Sequence, residues 1–212
     1  MNTKRILKLE GLFSLIGSIG LITWWFSMPL FLPIADAADN FQNLVLDPQW
    51  VPLNLLGLIS VILLLIGFPG FYLKYYDRYN AMGFIGLILA CTGLILYACI
   101  QYYETLLWPA AARIYPDLLK TGGALVSGDP LVTAGLIISG IILGTGYILF
   151  GISALRSRAY PRSSIWFLMV GAPLFGMGVL FPLRTIGLIL FCAGTLWLAI
   201  DLRKDRIEKR NK

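Results

Sequence analysis

The sequence contains no histidine. That removes the commonest general base, proton shuttle and metal ligand together. A Ser-His-Asp triad, a histidine-held zinc protease site and a histidine-ligated haem go with it. Charge is scarce as well: 13% of residues are Asp, Glu, Lys or Arg, against about 25% in an ordinary soluble domain. The three cysteines, Cys91, Cys99 and Cys192, each lie in an apolar run, and none belongs to a C-x-x-C pair. An odd count placed that way fits neither a disulfide framework nor a zinc site, and reads as small hydrophobes. There is no P-loop, no G-x-G-x-x-G in a strand–helix setting and no EF-hand pattern. Asp36, Asp39 and Asp47 match no known cation loop. The expectation is a chain without metal or cofactor.

What is present is apolar. Of 212 residues 58% are hydrophobic, and mean hydropathy is +0.79. Such a composition excludes both a soluble globular domain and a disordered chain. A helix needs about 20 apolar residues to cross roughly 30 Å of hydrocarbon, and helices satisfy their own backbone in lipid. Six segments qualify: 9–34, 51–73, 80–107, 130–155, 163–181 and 183–202. The fold expected is all-α, a single polytopic domain of six transmembrane helices. A tight turn at Pro182 makes the last two antiparallel neighbours. Lys4, Arg5 and Lys8 followed by Ala35-Asp36-Ala37 resemble a cleavable signal. The apolar run exceeds the roughly 7–15 residues of a signal peptide, so an uncleaved anchor is expected.

Net charge is +6, and its distribution predicts orientation. Fourteen of the 17 basic residues fall at the termini and in the connections around Lys74, Arg78, Arg156, Arg158 and Arg162. The other side holds only Arg113, Lys120 and Arg184. The positive-inside rule then places both termini in the cytoplasm of a cell that carries this protein in its plasma or inner membrane. The basic balance reads as topology and anionic-lipid contact, not as nucleic-acid binding. Arg156, Arg158 and Arg162 around Pro161, with Trp166 one turn on, form a cationic turn suited to headgroups. Two larger connections face outward, 35–50 and 108–129. Within the second, 110–115 reads as a short interfacial helix with Trp108 and Tyr115 at headgroup level.

Association of helices in lipid depends on small residues, and the chain has 22 glycines. Gly135-x3-Ser139 and Gly140-x3-Gly144 share one face of the fourth span, as a dimer interface or as packing within the chain. Pro29, Pro33, Pro69 and Pro173 mark bends, Pro69 within Gly67-Phe68-Pro69-Gly70. Residues 53–87 and 131–167 each read as span, basic turn, span, the pattern of a parallel repeat.

Ionisable groups inside a membrane are functional suspects. Glu10, Asp201 and Arg184 fall near span ends, within reach of headgroups. Glu104 stands apart, because Tyr97, Gln101, Glu104 and Trp108 follow at i, i+4, i+7 and i+11 and share a helical face. The stripe reads as the lining of an outward cleft, with Arg184 or Arg113 as counter-charge, or as an interfacial belt. No chain of acids crosses the bilayer as in a proton pump, and no inverted repeat with broken helices appears.

Arg158-Ala159-Tyr160-Pro161-Arg162, leading to Trp166 and Gly171, resembles a basic turn before an aromatic, glycine-rich helix. Small bacterial integral membrane proteins of five or six spans and unknown function share that feature. The resemblance implies the layout and carries no activity. The expected role is a non-catalytic accessory or assembly subunit, or a binder of lipid or small amphiphiles. A transport or channel component is the alternative, then a lipid-acting enzyme using Glu104. The partners expected are lipids, other membrane subunits or a second copy.

Overall fold

The structure is a computed structural model that describes residues 3–32, 37–119, 129–176 and 181–203, without the side chains of 37–40 and 181. Several sequence features lie outside that description: Pro33, the 35–36 part of the signal-like site, Lys120, the Gly122-Gly123 pair and the tail from 204. Among the described residues all regular structure is helical. The elements are α1 (Thr3–Phe31), α2 (Ala37–Val45), α3 (Trp50–Gly67), α4 (Pro69–Leu73) and α5 (Ala81–Tyr102). They continue with α6 (Trp108–Ile114), α7 (Pro130–Ser157), α8 (Arg162–Gly176) and α9 (Phe181–Arg203).

Five stretches are long and apolar enough to cross a membrane: Thr3–Phe31, Trp50–Leu73, Ala81–Ile114, Pro130–Ser157 and Pro182–Arg203. The structure is consistent with a multi-pass membrane protein. The outward surface agrees with that reading, for it is studded with isoleucine: Ile16 and Ile19 on α1, Ile59 and Ile62 on α3, Ile85 and Ile88 on α5, Ile138 and Ile141 on α7. A water-soluble protein hides such a surface.

Several boundaries move. The second segment breaks at Phe68 and restarts with Pro69 in the first turn of α4, where a missing N–H costs nothing. Pro182 does not form the turn between the last two segments. It sits in the first turn of α9, and the connection falls at 177–180, outside the described residues. The connection 35–50 carries a helix, α2. Its apolar residues Phe41, Leu44 and Val45 repeat at i, i+3, i+4, a signal that was there to be found. A short helix stands where 110–115 was expected, as α6, with Trp108 buried in the protein and not at a surface level; it is joined to α5 through a π-helical turn at Tyr103–Leu107.

The helices pack in chain order: α1 on α3, α3 on α5, α5 on α7, α7 on α8, α8 on α9, and α9 back on α1. The ring is therefore closed. Glycine sets its tightest seams. A Cβ at Gly86 would land on the backbone of Phe150, and one at Gly146 on that of Ala90, so α5 and α7 meet backbone to backbone. Gly171 and Gly187 do the same for α8 and α9, against Phe191 and Phe175. Between α1 and α9 a buried hydroxyl pair, Ser18 and Thr195 at 2.7 Å, bridges the two helices. Along the ring axis runs a column of aromatics. Phe175 stacks on Phe191 at 5.8 Å, Phe191 meets Tyr147 at 5.1 Å, and Tyr147 meets Phe68 at 4.7 Å. Phe68 then meets Phe71, which abuts Tyr160.

Both described chain ends lie at one end of this ring. Gly11 abuts Ala199, Leu202 and Arg203. Lys74 Nζ donates to the Asp201 carboxylate at 2.7 Å and to its carbonyl at 2.6 Å. The Tyr160 hydroxyl donates to the Phe71 carbonyl at 2.9 Å. Asn80 caps α5 by accepting from Gly83 N, and it also accepts from Ser153 of α7. The α7–α8 turn passes through Arg158, left-handed at φ 52°, with Arg156, Arg158 and Arg162 exposed around it. The two span–turn–span stretches therefore reverse differently, one through α4 and one through a single residue. At the far end α2, α6 and the turn at Pro116–Leu119 build a second small core. In it Leu44, Val45, Trp50, Trp108, Ala112 and Leu119 cap the ring.

The seams predict a contrast. Gly171→Ala should lower stability by about 1–3 kcal/mol, the usual cost of overpacking. Gly135→Ala should be neutral or stabilising by up to about 1 kcal/mol through helix propensity, because nothing lies within 4 Å of its Cβ position. Equilibrium unfolding in mixed micelles reads both.

Candidate functional site

Polar groups inside an apolar bundle must be paired within the chain, and most of this ring obeys. Unpartnered buried atoms occur at both ends, Glu10 Oε2, Ser14 Oγ and Tyr79 OH toward the terminal end among them, but at the capped end one cation and one carboxylate turn inward around a cavity.

Glu104 sits in the π-helical turn that follows α5. Such turns insert an extra residue and are common at functional sites. The distortion is held from two sides. The Trp50 indole N–H donates to the Glu104 carbonyl at 3.0 Å, and the Thr105 hydroxyl donates to the Gln101 carbonyl. The carboxylate itself accepts from Gln101 Nε2 at 3.2 Å. Gln101 is 1% exposed, and its Oε1 has no partner.

Arg184 enters from the first turn of α9. The sequence offered two places for it, headgroup reach and counter-charge of the cleft; the structure turns it inward, where Nη2 donates to the Tyr97 hydroxyl at 2.6 Å. The guanidinium lies over Trp25 at 4.9 Å, with Phe175 at 5.8 Å and Tyr97 at 6.0 Å. Aromatic faces attract a cation in this arrangement. Its Nε is buried and without a partner. Arg184 and Glu104 attract one another electrostatically, yet no ion pair closes between them among the described residues.

Two hollows border this turn. A chamber of about 170 Å³ is lined by Trp24, Trp25, Met28, Pro29, Trp50, Asn54, Glu104 and Arg184. A groove of about 360 Å³ lies between the end of α5 and the start of α7, lined chiefly by Leu96, Cys99, Ile100, Leu131, Val132 and Leu136. Tyr103, Glu104, Trp108, Gly135 and Ser139 complete it. Glu104 is the one residue common to both linings.

Of the sequence-predicted stripe, the structure brings Tyr97, Gln101 and Glu104 to Arg184. Trp108 departs: it stacks on Trp50 at 6.1 Å beneath α2. Arg113 is exposed on α6, away from the chamber lining. Tyr115 is 64% exposed. On α7, Gly140 and Gly144 face Gly176 and Pro173 of α8, whereas Gly135 opens onto the groove. Ser139 donates to the Gly135 carbonyl at 2.7 Å.

Sequence reasoning missed Trp24, Trp25, Trp50, Asn54 and Thr185. Asn54 carried a signal, as a lone amide between leucines in an apolar span. In the structure it accepts from Trp24 Nε1 at 3.4 Å and donates to the Trp50 carbonyl at 3.0 Å. Trp25 Nε1 donates to Thr185 at 3.0 Å. The indole donors are thus spent on the scaffold, and the aromatic faces are what the chamber presents. Among the described residues no group of three His, Cys, Asp or Glu side chains is placed to hold a metal.

The chain matches no family model, no curated protein and no solved structure. Its site is read from geometry alone.

Tyr97→Phe removes the hydroxyl that accepts from Arg184 and leaves a buried donor unpaired. The expected loss is about 1–3 kcal/mol in unfolding free energy. An unchanged unfolding curve would mean that the cation takes its support elsewhere.

Proposed function

We propose that this chain is a six-span membrane protein with both termini cytoplasmic, and that it binds an amphiphile at its outer, capped end without chemistry of its own. The parity of crossings supports six spans. The start of α1 lies beside the end of α9, which requires an even number. Arg184 at the start of α9 lies at the far end, while α7 finishes at the terminal end, so α8 carries the chain back. At about 1.5 Å per residue the 15 residues of α8 rise about 22 Å. The exposed Arg156, Arg158 and Arg162 fall at the end that the positive-inside rule assigns to the cytoplasm.

The observation that carries the binding function is the groove beside α5 and α7. It is apolar along most of its length and ends at Glu104 and Tyr103. An apolar trough with a few convergent polar groups is the usual form of a small-molecule site. A glycine, Gly135, leaves its wall open. The aromatic column below Arg184 separates the chamber from the terminal end, which disfavours a continuous aqueous pore.

Two measurements test this. In a cysteine-less background, Arg158→Cys and a cysteine appended after Lys212 should react with an impermeant thiol reagent from the same side, and Tyr115→Cys from the opposite side. Labelling of Arg158→Cys and the appended cysteine from opposite sides would remove the six-span reading. Gly135→Trp should fill the groove with little effect on folding. Native mass spectrometry from mild detergent should then show at least tenfold less retained amphiphile than for the wild type, with thermal unfolding unchanged. Equal retention would refute groove binding.

A further inference from the structure

We infer that the chamber recognises a zwitterionic headgroup, a phosphate together with an ammonium, on a lipid whose chain lies in the groove. This rests on the amphiphile reading above and specifies its ligand.

The polar atoms of the chamber that remain unspent define its ligand. Every indole N–H of the chamber wall is donated to a protein acceptor: Trp24 to Asn54, Trp25 to Thr185, Trp50 to the Glu104 carbonyl. Asn54 is spent in both directions. What remains is one anion and one cation. The Glu104 carboxylate has a single neutral donor, Gln101. The Arg184 guanidinium has a single neutral acceptor, Tyr97, and a buried Nε without one. A lone buried charge is costly, and each of these lacks an opposite charge within ion-pair distance among the described residues.

A ligand with one charge would satisfy one of them and repel the other. A compact zwitterion satisfies both. Its phosphate accepts from the Arg184 fork, in the geometry that guanidinium favours. Its ammonium reaches Glu104 and the tryptophan faces, the pairing by which aromatic cages hold organic cations. Glu104 lines the groove as well as the chamber. A headgroup held at Glu104 therefore lies where an attached acyl chain can enter the groove beside Leu131 and Leu136.

The test uses the full-length chain, delipidated in maltoside micelles. Trp166→Phe and Trp197→Phe remove the two indoles that face outward. The remaining tryptophan fluorescence is then titrated with dihexanoyl phosphatidylethanolamine, dihexanoyl phosphatidylglycerol and glycerophosphoethanolamine. The expected result is saturable binding of the phosphatidylethanolamine, at least tenfold tighter than of either other probe. Glu104→Gln should abolish the preference over phosphatidylglycerol, and Arg184→Gln should weaken both lipids. Should Arg184→Gln fail to fold, the near-isosteric Glu104→Gln decides alone.

Equal affinity for the two lipids, unaffected by Glu104→Gln, overturns the zwitterion while leaving the groove intact, provided that Gly135→Trp still displaces them. Binding of neither lipid overturns both readings. Glycerophosphoethanolamine binding as tightly as the lipid overturns the role of the acyl chain.

Discussion

Close backbone approach is the constraint on which this structure depends. In lipid, apolar side chains gain nothing by leaving their surroundings, so helices associate through contact and internal hydrogen bonds. A ring of six helices around one axis must close every seam or leave an aqueous or lipid-filled gap. Here glycine removes the side chains that would hold α5 from α7 and α8 from α9. The space gained at the seams is not wasted on the axis, which Phe68, Phe71, Tyr147, Phe150, Phe175 and Phe191 fill completely. Small residues between helices and large ones at the centre are two sides of one packing solution.

That solution also decides where function can reside. The aromatic column runs through the ring from Phe175 to Tyr160. Buried charge is confined to the ends. At the terminal end Lys74 and Asp201 form a direct ion pair and are finished with one another. At the capped end Arg184 and Glu104 are held apart, each on a neutral partner, across a cavity. Glu10 Oε2 at the terminal end is buried without a partner as well, and it is the cavity between Arg184 and Glu104 that is the basis for assigning recognition to the capped end.

Much of the architecture was legible in the sequence, for a simple reason. Length and apolarity of a run are sufficient to predict a helix when water is excluded. Five of the six expected segments accordingly hold a helical stretch long and apolar enough to cross a membrane, and the fifth in order, 163–181, holds the shorter α8. Glu104 stood out on the same ground, as a carboxylate in an apolar stretch. Other features were hidden because they depend on what lies across a seam. Arg184 could be read from the sequence either as reaching headgroups or as a counter-charge in the cleft. Only the arrival of Trp25 and Tyr97 from α1 and α5 explains why it turns inward. The tryptophans of the chamber resembled ordinary interfacial aromatics, and nothing local reveals that their donors are consumed by Asn54, Thr185 and a carbonyl.

The position of Trp108 shows how one inserted residue alters a site. In an uninterrupted α-helix, Tyr97, Gln101, Glu104 and Trp108 lie along a single stripe, each residue advancing about 100°. The π-helical turn at Tyr103–Leu107 adds one residue to that count after Gln101. Everything beyond it is rotated by about 100° relative to the expected stripe. Trp108 accordingly leaves the face of Tyr97 and packs on Trp50 and Phe41, where it helps to seat the cap. The same insertion leaves Glu104 at the discontinuity, between a helix that faces the ring axis and one that faces the cap. A regular helix would commit its carboxylate to one side. The distorted turn leaves it lining both the chamber and the groove.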